Sequence, residues 1–304
     1  MSAGAFPAGS AIASRGGSAA QPTARRRIRA GKLVTILYFV VVFSILLAPL
    51  VVVVGGSFSA PPNENVVMSY VQFPPERLTL EWYERIPSTQ LRALGVSFLL
   101  ALVVAVAAGL IGVPAAFGLV RGRLIVPRTA VSAIMRAPLQ IPHVVTGMAF
   151  LQLYYVIGDR WGGYLQGTAA GLFLAHLFMA TPFVVGSVGA VLQRFNPRLE
   201  EAATILGASQ WRTFRRVTLP VIMPGVFTGL LYAFIVSFVD VPAAIFLASP
   251  QAMTFPVELF HAMEQDFTPS SLASASLAAA FAIVLVYAAQ RFLGLDALLR
   301  SRTK

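Results

Sequence analysis

Cysteine is absent from the 304 residues, which removes disulfides, thiolate metal ligands and cysteine nucleophiles together. Lysine occurs only as Lys32, followed by Leu33, and as Lys304. A phosphate-cradling P-loop needs Gly-Lys followed by Ser or Thr, so the chain carries no nucleotide hydrolysis of that kind. The three histidines, His143, His176 and His261, have no acid or second histidine at ligand spacing. Neither a metal nor any other cofactor is expected. Charged residues make up 12% of the chain, and only 12 are acidic. No cluster of acids, and no nucleophile beside a base, stands near the end of an apolar run, which argues against a membrane-embedded enzyme.

Apolar side chains fill the space that charge leaves. They form 57% of the sequence, and the mean hydropathy is +0.75, as in a chain whose solvent is mostly lipid. Six apolar segments run near 33–54, 93–119, 131–157, 168–192, 222–248 and 271–293. Each is long enough to cross roughly 30 Å of hydrocarbon as a helix. The expected fold is an all-α polytopic membrane protein with six transmembrane helices. Residues 1–32 contain no acid, show no helical or strand period and end in the basic cluster "RRRIRAGK". They are read as a disordered basic tail ahead of a membrane domain at 33–304. Such a start also resembles an organelle transit peptide, although no amphipathic face is visible. The first span is read as retained, with cleavage within "VVVVGGSFSAPP" as the alternative.

The net charge of +11 is explained by position. With the N-terminus inside, the tail, 120–136, 193–221 and the C-terminus hold six, four, five and four of the 23 Lys and Arg. Eight of the 12 acids fall on the other side. This asymmetry predicts cytoplasmic termini and a bilayer, with no nucleic acid, as the partner. In the long external segment 55–92, Trp82 and Tyr83 are expected on a short interfacial turn. Tyr154, Tyr155, Trp161 and Tyr164 read as an outer aromatic belt. Pro114, Pro138, Pro142, Pro182, Pro224 and Pro242 fall within spans and read as kinks. Gly167/Gly171 and Gly225/Gly229 have the spacing of close helix packing.

One inner loop concentrates charge: "EEAATILGASQWRTFRRVTLP", Glu200 to Pro220. Asn196 and Pro197 can open a helix whose first turn takes Glu200 and Glu201. Gly207 can end it in the left-handed conformation. A second short helix, "SQWRTFRRV", then carries Trp211 and Phe214 on one face, ringed by Arg212, Arg215 and Arg216. Either it fills a groove on a partner, or it lies in the headgroup layer with its arginines on phosphates.

The spacing resembles the EAA loop of permease subunits of binding-protein-dependent ABC importers. That family has Glu-Ala-Ala, three residues, Gly, nine residues, Ile, one residue and Leu-Pro. Glu201, Ala202, Ala203, Gly207, Leu219 and Pro220 stand at those places, and Val217 replaces Ile. The resemblance covers about 91–294. It implies a five-helix permease core behind an N-terminal helix, in the bacterial inner membrane. It also implies that Ser209, Trp211 and Phe214 contact a separate ATPase. The implied partners are ATPase subunits, a second permease (homologous or another copy) and an external substrate-binding protein. "APLQIPHVVTG" and "SFVDVPAAIFLASPQAMTFPVELFHAM" are similar to the polyamine, opine and phosphonate branch, above all to the second permease of spermidine/putrescine importers. A polyamine is the first expected substrate, with phosphonates, opines, thiamine and ferric iron as competitors.

Asp240 is the one acid inside an expected span, where a carboxylate costs several kcal/mol unless it meets a cavity or a partner. With Ser237 it is the candidate lining of a substrate pathway, suited to a cation. A structural hydrogen bond at the bend beside Pro242 is the alternative. An ion-coupled secondary carrier is the other functional class, but carriers usually show several intramembrane ionisable groups.

Overall fold

The computed structural model describes residues 24–60, 73–265 and 268–292. The expected tail up to residue 23, the proline-rich stretch 61–72 and the C-terminal residues 293–304 lie outside them.

The chain divides into two units, one ending at Val51 and one beginning at Val52. In the first, the described part is helix α1 (Ala24–Ser57), which runs on into the second unit. Its stretch Gly31–Ser57 has a mean hydropathy of 3.0 over its most apolar window, and its large side chains from Leu33 to Leu47, except the half-buried Val42, are exposed. The basic cluster is the start of this helix. Arginine is a good helix former, so the helix extends back into what the sequence suggested was an irregular tail.

The second unit continues with α2 (Glu81–Glu84), α3 (Ser88–Arg121), α4 (Arg128–Arg136), α5 (His143–Trp161), α6 (Ala169–Arg194) and α7 (Arg198–Ile205). Then come α8 (Gln210–Thr213), α9 (Leu219–Phe238), α10 (Ala244–Leu247), α11 (Phe255–Gln265) and α12 (Pro269–Phe292). Five helical stretches are long and apolar enough to cross a membrane, or six if α4 and α5 count as one bent span. The chain is an all-α, multi-pass membrane protein.

Helices α3, α6 and α9 form its core around Ala101, Val104, Ala108, Ala180, Val184, Val188, Ile222 and Ala233, all fully buried. On α3 the small residues turn inward, while Leu99, Leu102, Val106 and Leu110 turn outward. Lipid is as apolar as leucine, so packing decides which face is inside, and small side chains let helices approach closely. Gly225 and Gly229 face α6: a Cβ at Gly229 would lie 2.8 Å from Val184 Cα, and one at Gly225 2.9 Å from Ser187 O. The expected close packing is found there. Gly167 and Gly171 do a different job, since Gly167 has φ +69° before α6 begins and Gly171 lies against the Leu165 carbonyl.

The expected third span, 131–157, is broken. Helices α4 and α5 meet at 95° across Gln140–Pro142. Pro138 sits in a 3₁₀ turn and Pro142 caps α5, so both mark the break and neither kinks a continuous helix. Arg128, Ser132 and Arg136 recur every four residues and give α4 a polar face, which lines a groove of about 940 Å³ with Arg121 and Gln193. The fifth span ends at Phe238, ten residues early, and Pro242 lies in the irregular stretch before α10. Pro114, Pro182 and Pro224 lie inside helices, as does Pro49.

Two aromatic expectations change. Trp82 is buried and donates from Nε1 to Ser59 O at 2.7 Å, and Tyr83 bridges Ser57 and Ser276. These rings tie α2 to α12 and the end of α1, and do not face headgroups. Tyr154 is also buried, with its hydroxyl on Gly171 O, whereas Tyr155, Trp161 and Tyr164 are exposed.

Replacing Gly229 with Val should lower the unfolding midpoint of the detergent-solubilised protein, with about 1–3 kcal/mol lost to overpacking. Gly31→Val, where a Cβ has nothing within 4 Å, is the control and should shift it little.

Candidate functional site

The Glu200–Pro220 loop is built as two capped helices. Asn196 Oδ1 accepts from the Arg198 amide, so α7 starts with Glu200 and Glu201 in its first turn. At the other end Gly207 has φ +84°. The Ala208 amide donates to Ala203 O and the Gly207 amide to Thr204 O, the paired bonds of a Schellman ending. Ser209 then caps α8, accepting from the Arg212 amide.

From Gln210 the chain stays helical to Phe238, where the sequence suggested a separate short helix. The register is kept by a π turn, Phe214–Thr218, with the Leu219 amide reaching back to Phe214 O. In a regular α-helix the Pro220 ring would collide with the carbonyl four residues back. The wide turn ends just before it.

The two glutamates face different ways. Glu200 takes both carboxylate oxygens to Arg121 Nη1 at 2.8 Å and accepts from the Thr218 hydroxyl. This joins α7 to the ends of α3 and the π turn. The Arg121 guanidinium also lies over the Phe195 ring, 4.8 Å from its centre. Glu201, which carries the motif match, is exposed together with Ala202. Partial burial alone would raise the Glu200 carboxyl. The hydrogen bonds from Arg121 and Thr218 and the charge of Arg121 outweigh it and hold the group below its ordinary value of 4.5.

The aromatic pair is also split. Trp211 and Phe214 stack with centroids 5.7 Å apart, but Phe214 turns its other side to Phe117 of α3. Trp211 is 69% exposed, Ile205 86% and Leu206 87%. Ala203 and Val217 are half-buried, Leu219 likewise, and Ser209 and Pro220 are exposed. The sequence pattern passed over Ile205 and Leu206. Their signal was two large apolar residues directly before a turn glycine, where a helix has no core to face.

A second constellation lies inside the bundle. Asp240, fully buried in its side chain, accepts from the Ala243 and Ala244 amides at 3.1 and 2.9 Å and from His143 Nδ1 at 2.8 Å. His176, also fully buried, pairs its Nδ1 with Ser237 Oγ at 2.8 Å and brings Nε2 to 3.9 Å from Asp240. Three protein donors thus meet the carboxylate beside the bend. Each histidine looked solitary in sequence because its partner lies 61 to 97 positions away. His261 sits apart on α11, 3.6 Å from Glu264. Among the described residues no three His, Cys, Asp or Glu are placed to hold a metal ion.

Residues 108–295 match the family described as "Binding-protein-dependent transport system inner membrane component". The chain is 30% identical over 237 residues to the putrescine transport system permease protein PotI of Escherichia coli K12, covering 77% of this chain and 82% of that one. It is 28% identical to the spermidine/putrescine transport system permease protein PotC of Haemophilus influenzae, over 83% and 93%. It is also 31% identical to the sulfate transport system permease protein CysT of E. coli K12, over 68% and 78%. Among solved structures, a chain of a bacterial ABC transporter importing alginate superposes with a TM-score of 0.65 at 16% identity, covering 89% of this chain and 99% of that one. A chain of the inward-facing MetNI methionine ABC transporter gives 0.53 at 19%, over 75% and 100%.

Changing Glu200 to Ala should destabilise the loop by about 1–3 kcal/mol, the range for a charge-assisted hydrogen bond left unmade. A depressed folded-state value means the stabilisation is fully present above 4.5 and is lost as pH falls through that lower value. The difference in melting temperature between wild type and variant should therefore be constant near neutrality and shrink in acid.

Proposed function

The chain belongs to the inner-membrane component family of binding-protein-dependent transport systems, and from that premise we propose that it forms half of a solute pathway driven by a separate ATPase. Membership in a family of importer permeases displaces the ion-coupled carrier. The observation that carries the coupling reading is the Ile205, Leu206 and Trp211 surface. These are large apolar side chains exposed on a loop braced to the core by Arg121 and Glu200, which suits insertion into a groove on a soluble partner. Glu201, Ala202 and Ser209 border it. The membrane headgroup layer is the competing occupant. Remaining partners on this reading are a second permease and an external binding protein, with the loop and both termini on the cytoplasmic side.

A polyamine is the proposed substrate, supported by the likeness to PotI and PotC. A small anion is the second reading, favoured by Arg121, Arg128 and Arg136 around the groove beside α4. Competition between spermidine and sulfate or phosphonate for uptake separates the two.

Purified from its host in mild detergent, the wild-type chain should bring down an ATPase and a second permease. Gly207→Asp, which puts a side chain on a left-handed residue, and Trp211→Ala should each lose most of the ATPase and keep the permease. Wild type eluting without an ATPase would overturn the coupling reading.

A further inference from the structure

The Asp240 side chain is fully buried, out of a solute's reach, and this shifts attention to its partner. His143 is the one member of the constellation with an open side: its side chain is 37% exposed, against none for Asp240 and His176. A carboxylate oxygen only accepts, so His143 Nδ1 carries the hydrogen of the 2.8 Å bond. In the neutral ring, Nε2 then holds a lone pair, and it has no hydrogen-bond partner among the described residues. The negative carboxylate behind the ring makes that nitrogen a stronger acceptor, as it does for histidines held by a carboxylate elsewhere.

The open side lies at the break between α4 and α5. His176 lies seven residues into α6, so the constellation sits about 10 Å along the helix from its first residue, with 18 residues of α6 still to follow. At this level the chain is not helical: Gln140 is exposed, and the α4–α5 break crosses 140–142. The first amides of α5 have no side-chain cap. Irregular backbone at membrane depth is tolerated only where protein buries it or where it lines water. Behind His143 the chain is close-packed, since a Cβ at Gly147 would lie 2.7 Å from Ala243 O. The exposed edge of the break is therefore the side turned away from Ala243.

We propose that His143 Nε2 is a contact point for an ammonium group of the transported solute, with Asp240 as the positioning residue that sets the ring's tautomer and orientation. A protonated amine offers N–H donors and positive charge to an acceptor backed by a carboxylate. A sulfate or phosphonate offers only acceptors and is repelled. The inference rests on the polyamine reading and sharpens it: the cation is met by the ring, and the buried carboxylate acts through it.

The test uses the full transporter in proteoliposomes, with its ATPase, second permease and spermidine-loaded binding protein. It reads spermidine imported per ATP hydrolysed. His143→Asn keeps a donor where Nδ1 was, facing Asp240, and removes the outer acceptor. His143→Gln places an amide oxygen near the former Nε2. The Asn variant should import about tenfold less per ATP, and the Gln variant should recover to within about threefold of wild type. The titratable groups facing His143 are Asp240, from the stretch after α9, and His176, from α6. Equal import by the Asn and Gln variants would overturn the contact. Wild type that hydrolyses ATP but imports neither spermidine nor putrescine overturns the polyamine reading itself.

Discussion

Hydrocarbon offers the backbone no hydrogen bonds, so every amide and carbonyl at membrane depth needs a partner from the protein or from trapped water. Long helices meet that demand by themselves. The demand becomes visible where helices stop: at 140–142, between α4 and α5, and at 239–243, beyond α9. At the second break the Asp240 carboxylate takes the amides of Ala243 and Ala244, which starts the single turn of α10. Its other oxygen takes His143 and so pins the first turn of α5 beside the first break. Two interruptions thus satisfy each other through one buried acid. A lone carboxylate there would be costly, and this one has three donors and a histidine behind it.

The arginine-bearing end of the bundle works differently, because water can reach it. Arg121 ends α3, is clamped by Glu200 and covers the Phe195 ring. The loop between α6 and α9 is consequently held by charge, while its apolar residues Ile205, Leu206 and Trp211 point away. A loop with this pattern inverted, apolar side in and charge out, would be an ordinary folded corner. Holding it by its polar side leaves the greasy side free.

Much of this was legible in the sequence where one strong rule acts alone. Five of the six spans followed from apolar length, the helix ending at Gly207 from the glycine, and the approach of α9 to α6 from Gly225 and Gly229. What was hidden depended on which neighbour a side chain meets. The run 131–157 is apolar enough to cross, yet Arg128, Ser132 and Arg136 mark one face of α4 and three residues bracketed by Pro138 and Pro142 turn the chain by 95°. Apolar length outweighed both signals. The division of labour between Glu200 and Glu201 was hidden because adjacent helical residues point about 100° apart, and only the position of Arg121 decides which one is braced. Phe214 and Trp211 shared a face in projection, but Phe117 claims one of them. His143, His176 and Asp240 come from three parts of the chain, and no local spacing could join them.

The unbroken helical course from Gln210 to Phe238 has a mechanical meaning. It is a rod of 29 residues, about 43 Å long at 1.5 Å per residue, with Trp211 near one tip and Asp240 just past the other. The wide turn at Phe214–Thr218 comes directly before Leu219 and Pro220. Pivoted near its middle, where Gly225 and Gly229 rest on α6, such a rod acts as a first-class lever. A tilt of roughly 10° would swing each tip by about 4 Å in opposite directions. That is more than the reach of a hydrogen bond, so a push on the exposed loop would be felt at the buried acid as a bond made or broken.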